Sequence, residues 1–297
     1  MKVYIVNDTS SFHAGSAAVI ASLQQKLAVE GHEVIHASPR PLGPERRWIE
    51  ACDAVVVNGE GAMQEEAKGW DDGRVTKIMQ GLELAKELGK RAYLVNSVWY
   101  HNTPGWGDVL RSLDGLWVRE VASQREMEQE QGVRPDAFLD LSYSCAVDPG
   151  VRARNLAGLD VVGTFYERNM ADGERFGRFN RHFWRSAHLG LGGSADGGPV
   201  LSWSHVVTSL QGANVYATGQ HHGVYAACRA RVPFAAFRLY NHKITGLLEW
   251  AGVEIPIAAN LAELVDSIKF AKENRAVFET LFDWMESRPV WPGLRAD

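Results

Sequence analysis

Cysteine is scarce and scattered: Cys52, Cys145 and Cys228 are an odd number at wide spacing, with no CxxC pair. That excludes a disulfide framework and offers neither a thiolate zinc site nor a thiol-exchange motif. No run of 18 apolar residues occurs, and the opening Met-Lys followed by Val3 to Val6 lacks the apolar stretch of a signal peptide. The expectation is a cytoplasmic chain with no integral membrane contact. Neither charge dominates, since 31 basic residues stand against 36 acidic ones for a formal net charge of -5. A general polyanion-binding surface is excluded, while a local basic strip is not. Internal repeats and low-complexity segments are absent too. What is present is an ordinary globular composition, 45% hydrophobic and 23% charged, over 297 residues. That length suits two cores rather than one.

Apolar runs alternate with helical periodicity along the chain. Lys2 to Asn7 predicts a buried strand, and Ala14 to Glu30 predicts a helix through Val19, Leu23 and Leu27, stopped by Gly31. Further strands are expected at Glu33 to Ala37, Asp53 to Asn58, Arg91 to Val98, Gly115 to Arg119 and Asp136 to Leu141, with helices at Val75 to Leu88 and Val121 to Gln131. Such alternation implies a parallel sheet covered on both faces. The first domain is drawn at residues 1–145, and Val147 to Gly158, with Pro149, reads as a linker. A second α/β domain, 159–260, holds strands at Val161 to Tyr166, Asn214 to Thr218 and Pro233 to Arg238, helices at His222 to Ala230 and Lys243 to Ala251, and a short run at Ile255 to Ala258. Residues 261–297 form a tail, in which Leu261 to Arg288 predicts a helix bracing the first domain through Leu264, Ile268, Phe278, Leu281 and Phe282. Gly190 to Gly198, with five glycines, is expected to be flexible. The fold class is therefore α/β, two Rossmann-like domains facing each other, with ligands expected in the cleft at the carboxyl ends of the strands.

Five stretches at such strand ends carry candidate chemistry. The loop Asn7 to Ser16 offers backbone N–H groups and a helix N-terminus, with His13 singled out; it also reads as a capped connection. Asn58-Gly59-Glu60-Gly61 lets the backbone approach a ligand while Glu60 acts as base or hydrogen-bond acceptor toward a sugar hydroxyl; alternatively Glu60 caps the next helix. Arg119 ends a strand ahead of Ser123, where its planar fork suits a carboxylate or phosphate or else pairs with a nearby acid. Thr218-Gly219-Gln220-His221-His222-Gly223 is a strand, turn and helix start that places His222 in the first helical turn, as a catalytic or a packed structural histidine. The twin histidines lack a third ligand at matching spacing, so no metal is expected. Lys243, just past another strand, is a compact cation for a phosphate or carboxylate, or a solvated lysine. Beyond these, Arg175 to Arg185 interleaves arginines with aromatics, which suits phosphates and stacked sugars or bases, or a core-facing helix with solvated arginines.

In combination, the Asn7-Asp8-Thr9 opening, the Asn58 to Gly61 turn, Val118-Arg119 to Ser123, Gly219 to Gly223 and Tyr240 to Lys243 resemble the polysaccharide pyruvyl transferase family, in the right order along nearly the whole chain. The resemblance implies a GT-B-like fold and transfer of a pyruvyl group from phosphoenolpyruvate to sugar hydroxyls of a glycan. It implies that His222 protonates the donor's methylene carbon while Arg119 and Lys243 hold its charges, with Ser123, Gly219, Gln220 and Gly223 shaping the donor site. Glu60 or His13 would orient or deprotonate the acceptor, near Asp8, Thr9, Arg178 and Arg181. No cofactor is needed beyond the donor. Where the family has Arg-x-His-Gly, this chain has Gln220-His221-His222-Gly223. That departure favours a rival donor, a nucleotide sugar used by a GT-B glycosyltransferase whose acceptor is a glycan or a hydroxylated nucleic-acid base. A carbohydrate-binding protein without activity is the remaining alternative, opposed by the retention of Glu60, Arg119, His222 and Lys243.

Overall fold

In the computed structural model, which describes residues 1–39, 43–65, 73–164, 186–193, 198–238 and 241–294, the chain builds two parallel sheets. The first contains β1 (Lys2–Asp8), β2 (Glu33–Pro39), β3 (Ala54–Asn58), β4 (Arg91–Ser97), β5 (Gly115–Val118) and β6 (Asp136–Ala137), in the order β2-β1-β3-β4-β5-β6. Its crossovers include α1 (Ala14–Val29), α2 (Arg46–Ala51), α3 (Arg74–Glu87), α4 (Gly107–Ser112) and α5 (Val121–Gln131). The second contains β7 (Asp160–Val162), β8 (Ser186–His188), β9 (Val215–Thr218), β10 (Phe234–Phe237) and β11 (Ile257–Ala258), in the order β11-β10-β9-β7-β8. Helices α6 (Trp203–Leu210), α7 (His221–Arg229) and α8 (Thr245–Ala251) accompany it. Central strands read as unbroken apolar runs because both faces are covered: all five residues of β3 are buried.

Each sheet begins with a strand that has its successor on one side and its third strand on the other, so each has a topological switch point, between β1 and β3 and between β7 and β9. The two sheets are joined through α1. Its Val19, Leu23 and Leu27 pack on the first sheet, while its Ala14 and Ala18 join the core of the second. Small residues on that face are what bring the carboxyl ends of the two sheets together.

The expected single tail helix is two, α9 (Leu261–Glu273) and α10 (Arg275–Ser287), broken at Asn274. Their apolar stripe packs on the second sheet, with Phe278 edge-on to Phe234 at 5.2 Å, rather than bracing the first domain. The bracing comes after the helices: Trp291 packs against Trp117 at 5.7 Å, and the Leu294 N–H donates to Glu30. The chain crosses back only after α10 ends at Ser287. Four further described elements lie where no strand or helix was named in the sequence, α2, α4, β8 and α6. The predicted strand Asp136 to Leu141 stops at Ala137, after which the chain turns into a 3-10 turn, Leu141–Ser144. No described helix is long and apolar enough to cross a membrane.

Candidate functional site

Glu60, directly beyond β3, is buried at the β1/β3 switch point. Its Oε2 accepts from the Thr9 hydroxyl at 2.5 Å and its Oε1 from the Ser16 hydroxyl at 2.5 Å. His13 caps α1, its Nδ1 accepting from the Ser16 N–H at 3.2 Å. From the other sheet, the turn after β9 is held where the Gly219 N–H donates to the Thr164 carbonyl at 2.9 Å, beside the β7/β9 switch point. Gln220 is the N-cap of α7, and His221 and His222 form its first turn. A Cβ on Gly223 would strike the Thr218 hydroxyl, which is why glycine stands there.

The two switch points meet at His222. Its Nδ1 lies 3.8 Å from Glu60 Oε1 and its Nε2 lies 3.5 Å from Asp140 Oδ2. The His13 ring stands edge-on to it at 5.0 Å. A Cβ on Gly15 would occupy the same space as the His222 ring, so this glycine sets how closely α1 and α7 approach. Arg119, just past β5, is 2% exposed, and its Nη1 donates to Asp140 Oδ2 at 2.5 Å. Asp140 was not singled out in the sequence. The expected strand through Leu141 hid it, whereas the Asp140-Leu141-Ser142 spacing of a cap was its available signal: Asp140 Oδ1 accepts from the Ser142 N–H at 2.9 Å.

Burial by itself would raise the Glu60 carboxyl, but the fields of His222, His13 and Arg119 outweigh it and hold the group below its ordinary value. Asp140 is opposed by burial in the same way, yet His222 and Arg119 hold it well below. His13 moves the other way: burial, then the field of His222, push it down to about 4. Burial and Arg119 hold His221 well below its ordinary value. At neutral pH the cluster therefore contains two carboxylates and two uncharged imidazoles around His222. The positive charge of Lys243 contributes to lowering both His13 and His221.

The remaining candidates are placed as follows. Asp8 accepts from the Ser10 N–H at 2.8 Å within its own loop, and Thr9 is bonded to Glu60. The Ser123 hydroxyl accepts from the Trp99 N–H at 2.9 Å and lies 3.1 Å from His242 Nε2, a histidine that also stands 3.3 Å from both Glu120 and Glu126. Arg178, Arg181, the whole Arg175 to Arg185 strip and Tyr240 lie outside the described residues.

Among the described residues, three groups bring metal-ligand atoms within 4.8 Å of one another. In His13, Glu60 and His222, acceptance of the Ser16 N–H by His13 Nδ1 leaves the ring proton on Nε2, where it blocks a cation. In Asp140, His221 and His222, the Arg119 guanidinium already holds the carboxylate. In His101, Glu126 and Glu130, the acids are engaged by His242 and by the Trp99 indole.

No protein-family model and no curated protein sequence matches this chain. Solved structures do share its fold. A UDP-GlcNAc 2-epimerase from Neisseria meningitidis bound to UDP-GlcNAc matches with a TM-score of 0.55 at 10% identity over 95% of this chain and 94% of that one. MnaA of S. aureus with UDP matches with a TM-score of 0.59 at 11% identity over 95% and 90%. UGT2 of Phytolacca americana, complexed with UDP-2-fluoroglucose and pterostilbene, matches with a TM-score of 0.50 at 9% identity over 96% and 94%. The shared architecture is GT-B-like, two parallel α/β sheets meeting at the carboxyl ends of their strands.

Proposed function

We propose that this protein is a GT-B-like enzyme acting on a nucleotide sugar, as a glycosyltransferase with a glycan or other sugar-containing acceptor. The observation that carries the reading is His222, its two ring nitrogens facing the Glu60 and Asp140 carboxylates where the two switch points meet. Three solved relatives in fold hold UDP or a UDP-sugar. In this reading the diphosphate is met by the start of α7 and by the Lys243 ammonium. In the transfer, the acceptor oxygen bonds to the anomeric carbon as the bond from that carbon to the diphosphate breaks. The acceptor proton passes to His222. Asp140 orients the imidazole from its far side, as a carboxylate does in a catalytic triad, and Glu60 offsets positive charge developing on the sugar.

Pyruvyl transfer from phosphoenolpyruvate is the second reading, and its support is the order of motifs along the chain. It asks Arg119 to hold the donor, yet that guanidinium is committed to Asp140, and Gln220 stands in the arginine position. A nucleic-acid acceptor rests on the Arg175 to Arg185 strip alone.

Thermal shift separates these readings, because a ligand that binds only the native state raises the melting temperature by mass action. UDP and UDP-sugars are expected to raise it and phosphoenolpyruvate to leave it unchanged. A shift with phosphoenolpyruvate alone would overturn the assignment.

A further inference from the structure

Two asparagines in the first sheet adopt left-handed backbone angles, Asn7 with φ 67° and Asn96 with φ 55°. Few side chains accept that region, and such residues persist where their surroundings over-determine them. Both are buried, and both sit at a skip in strand pairing, between Val6 and Asp8 in β1 and between Leu94 and Ser97 in β4. Each skip re-aims the chain at a strand's carboxyl end.

Their side chains hydrogen-bond the backbone at or beside the two carboxylates, Asn7 as donor and Asn96 as acceptor. Asn7 Nδ2 donates to the Asn58 carbonyl at 2.6 Å and to the Glu60 carbonyl at 3.1 Å. Asn58 replies, donating to the Asn7 carbonyl at 3.2 Å while its Oδ1 accepts from the Glu60 N–H at 3.2 Å. The Glu60 backbone is thus held at both its N–H and its carbonyl. At the other site, Asn96 Oδ1 accepts from the Leu141 N–H at 3.1 Å, the residue after Asp140 at the start of the turn that Asp140 caps.

We propose that Asn7 and Asn96 are positioning residues, each fixing one of the two carboxylates that face His222: Asn7 sets Glu60, and Asn96 sets Asp140. Neither touches the imidazole. Their geometry explains why irregular backbone is retained at the carboxyl ends of two central strands, at Val6/Asp8 and at Leu94/Ser97. The assignment rests on the reading of Glu60, His222 and Asp140 as the chemical centre, but its test needs no substrate.

The experiment is carboxyl-carbon NMR titration of wild type, Asn7→Gly and Asn96→Gly, since glycine accepts the left-handed angles and removes only the side chain. In Asn7→Gly the Glu60 midpoint is expected to rise by about one pH unit as the carboxylate leaves the His222 and His13 fields, with Asp140 unchanged. In Asn96→Gly the pattern is expected to reverse. Variants that leave their own carboxylate unmoved, or that shift both carboxylates alike, overturn the proposal, because a general loosening of the fold would not discriminate. If Asn7→Gly fails to fold, Asn58→Ala, which withdraws the acceptor from the Glu60 N–H, must raise the Glu60 midpoint instead. Failure of nucleotide binding, measured separately by thermal shift, leaves this pattern intact and bears only on the enzymatic reading.

Discussion

Asp140 Oδ2 lies 2.5 Å from Arg119 Nη1 and 3.5 Å from His222 Nε2, so one buried oxygen serves a cation from the first sheet and an imidazole from the second. Removing its charge leaves the buried guanidinium without its hydrogen-bonded counter-ion, a class of change that costs about 3–5 kcal/mol. Asp140→Asn is expected to be destabilised by that order in chemical denaturation, and Asp140→Asn with Arg119→Met to recover much of it. A single variant as stable as wild type would show that the pair contributes little.

Neighbouring histidines of α7 are expected to behave differently. His222→Asn should melt near wild type and lose roughly 100-fold in turnover with the nucleotide sugar that binds, the scale of general acid–base catalysis. His221, its ring tilted against Tyr225 at 4.7 Å and buried, should mainly lose stability when changed to Asn, by about 1–3 kcal/mol. Full turnover in His222→Asn would remove that residue from the mechanism.

Acidification should weaken the fold before the carboxylates titrate. His13 takes up its proton near 6.5 when unfolded and at about 4 when folded, so the unfolded chain binds more protons between those values. Stability contributed by the neutral ring is complete above 6.5 and falls as pH drops toward 4. Glu60 and Asp140, both held below their ordinary values, lose their contributions only at lower pH. His13→Asn keeps a capping side chain and removes this titration, and denaturation curves at several pH values should show a shallower decline between 6.5 and 4. A slope identical to wild type would refute the assignment to His13.

Gly15→Ala tests the closeness of α1 and α7. Replacing a helical glycine by alanine ordinarily stabilises a helix by about 0.5–1 kcal/mol, but here the new methyl would occupy the His222 ring position. The variant is expected to be less stable than wild type by about 1–3 kcal/mol, as overpacked sites are, and to lose activity with it. A raised melting temperature would mean that the ring has room to move.

Much of the architecture was legible in the sequence because it is written locally. Buried parallel strands are unbroken apolar runs, as in residues 54–57, and covering helices keep a 3.6-residue period, as at Val19, Leu23 and Leu27. Strand ends with glycine and polar residues marked Glu60, His13, Arg119 and His222. Shorter elements such as Ser186–His188 left no such period to read, and the helix break at Asn274 carries neither glycine nor proline.

Sequence alone thus determined the two parallel α/β units and most of the side chains that gather between them, since burial pattern and turn chemistry depend on near neighbours. Tertiary structure alone decided their partnerships. Arg119 faces Asp140 across 21 residues of chain, and His222 meets Glu60 across a gap that spans both units. These pairings follow from the packing of α1 between the sheets and from backbone bonds such as Gly219 to Thr164, and the charge states of the cluster follow from the burial and the neighbouring charges that this packing brings together. No local pattern encodes a distance of that kind, because it is set by how two separately folded surfaces fit.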